Sequence, residues 1–200
     1  EFPSNRMAWE ALAARGVQVR VADLGSDDPE AAVCTLLDDR TRVLAISAVQ
    51  FGDGLRLDLA RLGRACRANG TLFCVDAIQQ VGALAFDVQA IHADFAIADG
   101  HKWMLGPEGV ALFYATPSAR NQLALTQFGW HMVEHPGDYS RSEWTPAASA
   151  RRFEAGSPNM LGIHALSASL SLLEETGMAA VETAVLANAD FLARETAALP

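Results

Sequence analysis

Lysine is almost missing from this chain. Among 15 basic residues Lys102 is the only lysine, and all the others are arginines. Arginine fills nearly every solvent-facing role of a cation, but its guanidinium stays protonated and is a poor nucleophile, so it cannot form a Schiff base. A lone lysine is therefore a candidate for amine chemistry. Cysteine is scarce too: Cys34, Cys66 and Cys74 are odd in number, scattered and set among apolar residues. That pattern argues against a disulfide framework or a metal site and reads as buried thiols in a reducing, cytoplasmic setting. No apolar run approaches the roughly 18 residues that cross a bilayer, so no membrane partner is expected. Basic charge is in short supply, with 15 Lys+Arg against 24 Asp+Glu and a formal net charge of −9. Without a basic stripe, nucleic acid is not an expected partner. No Gly-rich dinucleotide fingerprint follows the first expected strand, which argues against a nicotinamide enzyme. His92, His131, His135 and His164 lack ligand spacing with carboxylates, so no metal is expected.

What is present is a layered pattern. Half of the 200 residues are apolar and 20% are charged, enough for a substantial core. Pro3 to Arg15 reads as a helix, with Ser4 or Asn5 near its start and Gly16 as its stop. Val17 to Val21 alternates like a half-buried strand. Asp28-Pro29-Glu30 opens a helix expected to run to about Asp39. Buried strands are expected at Arg42–Ala48, Thr71–Asp76, Phe95–Ala98 and Val110–Tyr114, with an amphipathic helix from Leu57 to Asn69 stopped by Gly70. Strands separated by helices of this length predict α/β layers around a mainly parallel sheet. Gln127 to Arg151 reads as a long loop holding Trp130 and Trp144, and such loops are usually functional or lie against something else. Helices are expected again at Gly162–Thr176 and from Ala179 to about Leu199. The opening Glu1-Phe2-Pro3-Ser4 and the ending at Pro200 both read as cuts from something longer.

The chemistry-bearing residues cluster after two of the expected strands. Asp76 ends one, at the sheet edge where ligands of open parallel sheets collect, and is followed by Ala77-Ile78-Gln79. Gly100-His101-Lys102-Trp103 follows the next strand, and Gly106-Pro107-Glu108-Gly109 then turns the chain into the last one. An aldehyde cofactor needs a lysine that can lose its proton, which partial burial and a nearby cation favour. It also needs a carboxylate against a pyridinium nitrogen, and a neutral donor near the ring oxygen. Lys102, Asp76 and Gln79 suit those three roles.

These motifs carry a resemblance. D-x-x-Q at Asp76 and Gln79, the Gly82 turn, the Asp94 strand and H-K-x-x-x-G-P-x-G from His101 to Gly109 resemble the cofactor-lysine region of class V aminotransferases. ISAVQFGDGLRLDLARL upstream and RFEAGSPN downstream extend the resemblance over essentially all 200 residues. It implies the three-layer α/β/α large domain of the fold-type I pyridoxal 5'-phosphate enzymes, here residues 1–200 as a partial domain. Residues 178–200 would form a helix leading toward a small domain outside the chain. It implies that Lys102 binds the cofactor aldehyde and shuttles the substrate α-proton, that Asp76 holds the pyridinium nitrogen and that Gln79 bonds the ring oxygen. His101 would lie beside the cofactor on its phosphate side. Ser157 stands where the family has threonine reaching the phosphate of the neighbouring subunit, which implies a homodimer with shared sites.

Three departures accompany the resemblance. Asp99 takes the place of a phosphate-binding serine, where its charge would repel phosphate unless it points away. Ala48 replaces the asparagine that cysteine desulfurases carry after the upstream strand, leaving Gln50 as the nearest amide. The ring-stacking aromatic and the phosphate-binding turn are expected before residue 1, and the substrate-carboxylate arginine after residue 200. The resemblance therefore implies a pyridoxal-phosphate enzyme core acting on a small-molecule amino-acid substrate, in the manner of isopenicillin N epimerase-like proteins. Cysteine desulfurase is the alternative. A chain that folds and associates without catalysing anything is the alternative of another class.

Overall fold

Four short apolar runs become the strands of one sheet in the computed structural model, which describes residues 1–197. They are β1 (Val43–Ser47), β2 (Leu72–Asp76), β3 (Phe95–Asp99) and β4 (Ala111–Ala115). Their spatial order is β1-β2-β3-β4; the first three run parallel and β4 returns antiparallel to β3. The mainly parallel α/β arrangement is the one the alternating pattern predicts. Register brings Ser47 opposite Asp76, so β1 and β2 end level, and Asp76 opposite Ile97, so β3 runs two residues further, to Asp99.

The helices follow their caps. α1 (Pro3–Glu10) tightens into a 3₁₀ turn over Ala11–Arg15, and Gly16, at φ +80°, ends it. α2 (Pro29–Cys34) starts on Asp28, whose carboxylate accepts the Ala31 N–H at 2.9 Å. α3 (Leu59–Asn69) starts on Asp58 in the same way, at 2.8 Å from the Arg61 nitrogen, and stops at Gly70. Each such cap contributes about 1 kcal/mol. α4 (Pro117–Gln122) is capped by Thr116, α5 (Met160–Thr176) by Asn159, and α6 (Met178–Ala197) follows directly. The helix expected to run on through residue 199 leaves the described residues after Ala197.

One face of the sheet carries Ile46, Phe73, Val75 and Ala98, packed against Val33 of α2, Leu59, Leu62 and Cys66 of α3 and Leu166 of α5. Phe73, Val75 and Leu62 are wholly buried; burial of such a side chain is worth about 1.5–3 kcal/mol. The opposite face holds Phe95 and Ala115 against Ala119 of α4, with Leu72 and Cys74 beside them. There Ile97 and Phe113 remain exposed, although Phe153 meets the Phe113 ring edge-on at 5.5 Å.

Two expectations need correction. Val17 to Val21 is not a strand: a strand needs a hydrogen-bonded neighbour, and this segment has none among the described residues. It shares an open groove of about 590 Å³ with β1, and Val21 is 78% exposed. The second helix ends at Cys34, five residues early by the Asp39 expectation, because Asp38 is drawn into a turn. Its carboxylate takes two bonds from the Arg20 guanidinium and one from the Thr41 hydroxyl. α1 begins at Pro3, so Ser4 and Asn5 lie near its start as expected, with Phe2 in the cap position.

Candidate active site

Asp76 closes β2 with its backbone fully engaged. Its carbonyl accepts the Ala48 N–H at 2.9 Å, and the next N–H, of Ala77, reaches the Ile97 carbonyl at 2.8 Å. One carboxylate oxygen accepts the Ile78 N–H at 3.1 Å; the other takes no hydrogen bond from a described residue. Burial pushes the carboxyl above its ordinary pKa, and the Ile78 bond pulls the other way. The charges of Glu1 and Asp99 raise it further, while that of Lys102 lowers it, so all three lie within electrostatic reach of Asp76.

Lys102 sits on a turn directly after β3, and backbone bonds at both ends fix that turn. Gly100 donates to the Val110 carbonyl at 2.9 Å, Gly106 to the Gly100 carbonyl at 2.8 Å, and Leu105 to the Lys102 carbonyl at 3.0 Å. Leu105 is held at φ +59°, unusual for a residue with a branched side chain. The turn rests on the one after β2. Gly82, at φ +93°, lies so near that an added Cβ would collide with the Trp103 carbonyl and come within 2.8 Å of the Met104 nitrogen. Only glycine allows both that conformation and that approach. The Trp103 indole N–H then donates to the Gln79 side-chain oxygen at 3.2 Å. With its oxygen taken by a donor, Gln79 presents its amide nitrogen as the free group.

The Lys102 ammonium lies 5.7 Å from the centre of the Phe2 ring, within cation–π range. Phe2 thus places an aromatic ring near the lysine. The sequence signal for it is an aromatic residue just before a proline-started helix, a pattern too common to mark a site. Gln50 is buried; its amide donates to the Glu1 carboxylate at 3.0 Å and to the Ser47 carbonyl at 3.5 Å. It belongs to the wall behind Phe2 and not to the Lys102 turn. His101 and Asp99 are exposed beside the turn. Ser157 is exposed and unbonded among the described residues, in a loop tethered where the Asn159 amide donates to the Gly109 carbonyl at 3.1 Å. The structure thus gathers Asp76, Gln79, Lys102 and Phe2, and leaves Ser157 outside that group.

The donor set suits pyridoxal phosphate. Among the described residues it offers an amine with no carboxylate partner, a half-buried carboxylate with one open oxygen, a free amide nitrogen and an aromatic face. Other groups stand apart. A pocket of about 660 Å³ in the long loop is lined by Phe128, Trp130, Tyr139 and Trp144 and touches none of these residues. Burial pushes the Cys66 thiol up to about 12 and that of Cys74 up to about 11, so neither is a thiolate near neutral pH.

Comparison with known proteins shows the family. The Aminotransferase class-V family model matches residues 1–200. A probable cysteine desulfurase of Methanothermobacter thermautotrophicus is 32% identical over 184 residues, covering 91% of this chain and 45% of the relative. A cysteine desulfurase of Dickeya dadantii is 35% identical over 187 residues, 91% of this chain and 44% of the relative. The chain therefore spans somewhat under half the length of the curated relatives it matches. Among solved structures, the cystine C–S lyase C-DES in complex with its reaction product cysteine persulfide superposes with a TM-score of 0.89 at 27% identity. That match covers 100% of this chain and 55% of the lyase. A variant of the same lyase holds glycine covalently linked to its pyridoxal-phosphate cofactor.

Proposed function

The chain belongs to the class-V aminotransferase family, and from that premise we propose that it is the lysine-bearing core of a pyridoxal-phosphate-dependent enzyme acting on an amino acid. One observation carries the reading: the chain's only lysine emerges on a tightly held turn beside Asp76 and Gln79, with no carboxylate paired to it among the described residues. When bound, the cofactor supplies an electron sink for bond cleavage at the amino-acid α-carbon. Lys102 would hold the cofactor through Nζ and would then carry the substrate α-proton. The open oxygen of Asp76 would accept from the cofactor's ring nitrogen, and the amide nitrogen of Gln79 would donate to its ring oxygen. The Phe2 ring walls one side of the site and keeps water from it. His101 and Gln50 serve the cofactor surroundings, and Ser157 reaches the phosphate of a second subunit, which makes the enzyme a homodimer. Residues 1–200 are part of its large domain, α6 leads toward a small domain, and the protein works in the cytoplasm.

The relatives favour a sulfur-containing amino acid over the epimerase-like substrate that the motifs suggest. Within that reading Cys66 and Cys74 are not sulfur acceptors, because their thiols stay protonated. The test is to incubate the intact protein and pyridoxal phosphate with cysteine, with cystine and with sulfur-free amino acids. Sulfide or persulfide release that vanishes in Lys102→Ala is the expected result. Alanine as co-product indicates desulfuration, and pyruvate with ammonia indicates elimination. Inversion of a sulfur-free amino acid without sulfur release would overturn the sulfur reading and restore the epimerase-like one.

A further inference from the structure

Glu1 takes no part in the chemistry assigned to Lys102, Asp76 and Gln79, yet its carboxylate is bonded on both oxygens. Oε1 accepts the Ser47 backbone N–H at 2.9 Å and the Gln50 amide at 3.0 Å. Oε2 accepts the Ser47 hydroxyl and, at 2.9 Å, the Asn5 amide. Asn5 in turn accepts the Trp9 indole N–H at 3.2 Å, which ties the arrangement to the body of α1. Burial works against a charge at Glu1, but the bonds from Ser47 and Gln50 outweigh it and hold the carboxyl below its ordinary pKa. Ser47 is the register partner of Asp76, so the anchor stands one strand from the candidate cofactor carboxylate. The next residue is Phe2. Its ring packs edge-on against Phe51 at 5.3 Å and is otherwise 46% exposed, so its own packing does little to fix it.

We infer that Glu1 is a positioning residue: its carboxylate bridges Ser47 and Gln50 and thereby holds the Phe2 ring against Lys102. All four of its partners are donors, so a side chain that accepts on two oxygens is required. Glutamine would turn an N–H₂ toward donors and lose half of the bridge. The ring that is held this way shields one side of the amine. The inference rests on Lys102 as the reacting amine, but its test does not need the cofactor.

The experiment is acylation of Lys102 in the cofactor-free intact protein across a pH series, read by mass spectrometry of the peptide bearing it. Phe2→Ala is expected to label several-fold faster at a given pH, because the shield is gone. Glu1→Ala and Glu1→Gln should accelerate labelling toward the Phe2→Ala rate. The double variant Glu1→Ala/Phe2→Ala should label no faster than Phe2→Ala alone, since Glu1 acts through the ring. Circular dichroism checks folding; if Glu1→Ala does not fold, Glu1→Gln with its own double variant carries the comparison. Unchanged labelling in the Glu1 variants, or in Phe2→Ala, overturns the inference, and so do effects that add in the double variant. Failure of the cofactor reading looks different: borohydride would fix no cofactor on the unsubstituted protein, while the labelling pattern stood.

Discussion

Around Lys102 backbone meets backbone, whereas at the flanks of the sheet apolar side chains meet solvent. The turn after β3 lies on the turn after β2 through Gly82, and Leu166 of α5 presses on Gly100 and Gly106. At the flanks, Val21 and Tyr139 are each 78% exposed, and Phe113 lies open on the edge strand β4. The contrast separates two kinds of information in one chain. The centre is held by contacts between residues close to the strand ends, and those contacts set the lysine's position. The flanks present apolar surface of the kind that marks an interaction site.

Substitutions should divide along the same line. Gly82→Ala is expected to have the largest effect on folding, a loss of about 2–4 kcal/mol from a strained φ together with overpacking against Trp103. Urea unfolding measures it, and a loss below about 1 kcal/mol would mean the turns are not tightly apposed. Asp76→Ala should leave the fold intact and weaken pyridoxal-phosphate binding by about 1.5–3 kcal/mol, roughly tenfold to a hundredfold, the worth of a hydrogen bond to a charged group. Equilibrium dialysis of the cofactor reads that difference. At the flank, Val21→Ser should change stability by no more than about 0.5 kcal/mol, as for an exposed position without partners. A larger loss would show that Val21 is covered in the intact protein.

The smallest effect is electrostatic. Arg20 and Thr41 hold the Asp38 carboxyl at about 2, below its ordinary 3.8. A lowered folded-state pKa stabilises above the unfolded value and is lost as the pH falls through the folded one. Asp38 thus contributes fully above about pH 4, and the contribution fades toward pH 2. Because the pair is exposed, Asp38→Asn should flatten the stability profile only slightly in that window. Thermal midpoints taken across that acid range measure the slope, and identical slopes would contradict the pairing.

The sequence is most legible where structure is local. Asp58 and Gly70 bracket α3, Asp28-Pro29 starts α2, and the four strands lie within a residue of their expected bounds because each is a short apolar run between turns. Val17 to Val21 misleads for the converse reason. Alternation records which faces a segment would present to neighbours, and it is blind to whether a neighbouring strand is there. Thr116-Pro117 announces α4, but six residues are too few to show a period. At the site, strand ends and side-chain chemistry mark Asp76, Gln79 and Lys102. Phe2 and Glu1 escape because their importance lies in contacts to Lys102 and Ser47, residues 100 and 46 positions away. No local pattern encodes such pairings.

The central claim is that the chain's one lysine is the cofactor-binding amine. Borohydride reduction of the protein loaded with pyridoxal phosphate, with mass mapping of the product, tests it most directly. The expected result is a single cofactor adduct within these residues, on Lys102, and none in Lys102→Ala. Equal adduct formation in that variant, or loading that leaves Lys102 unmodified, would contradict it.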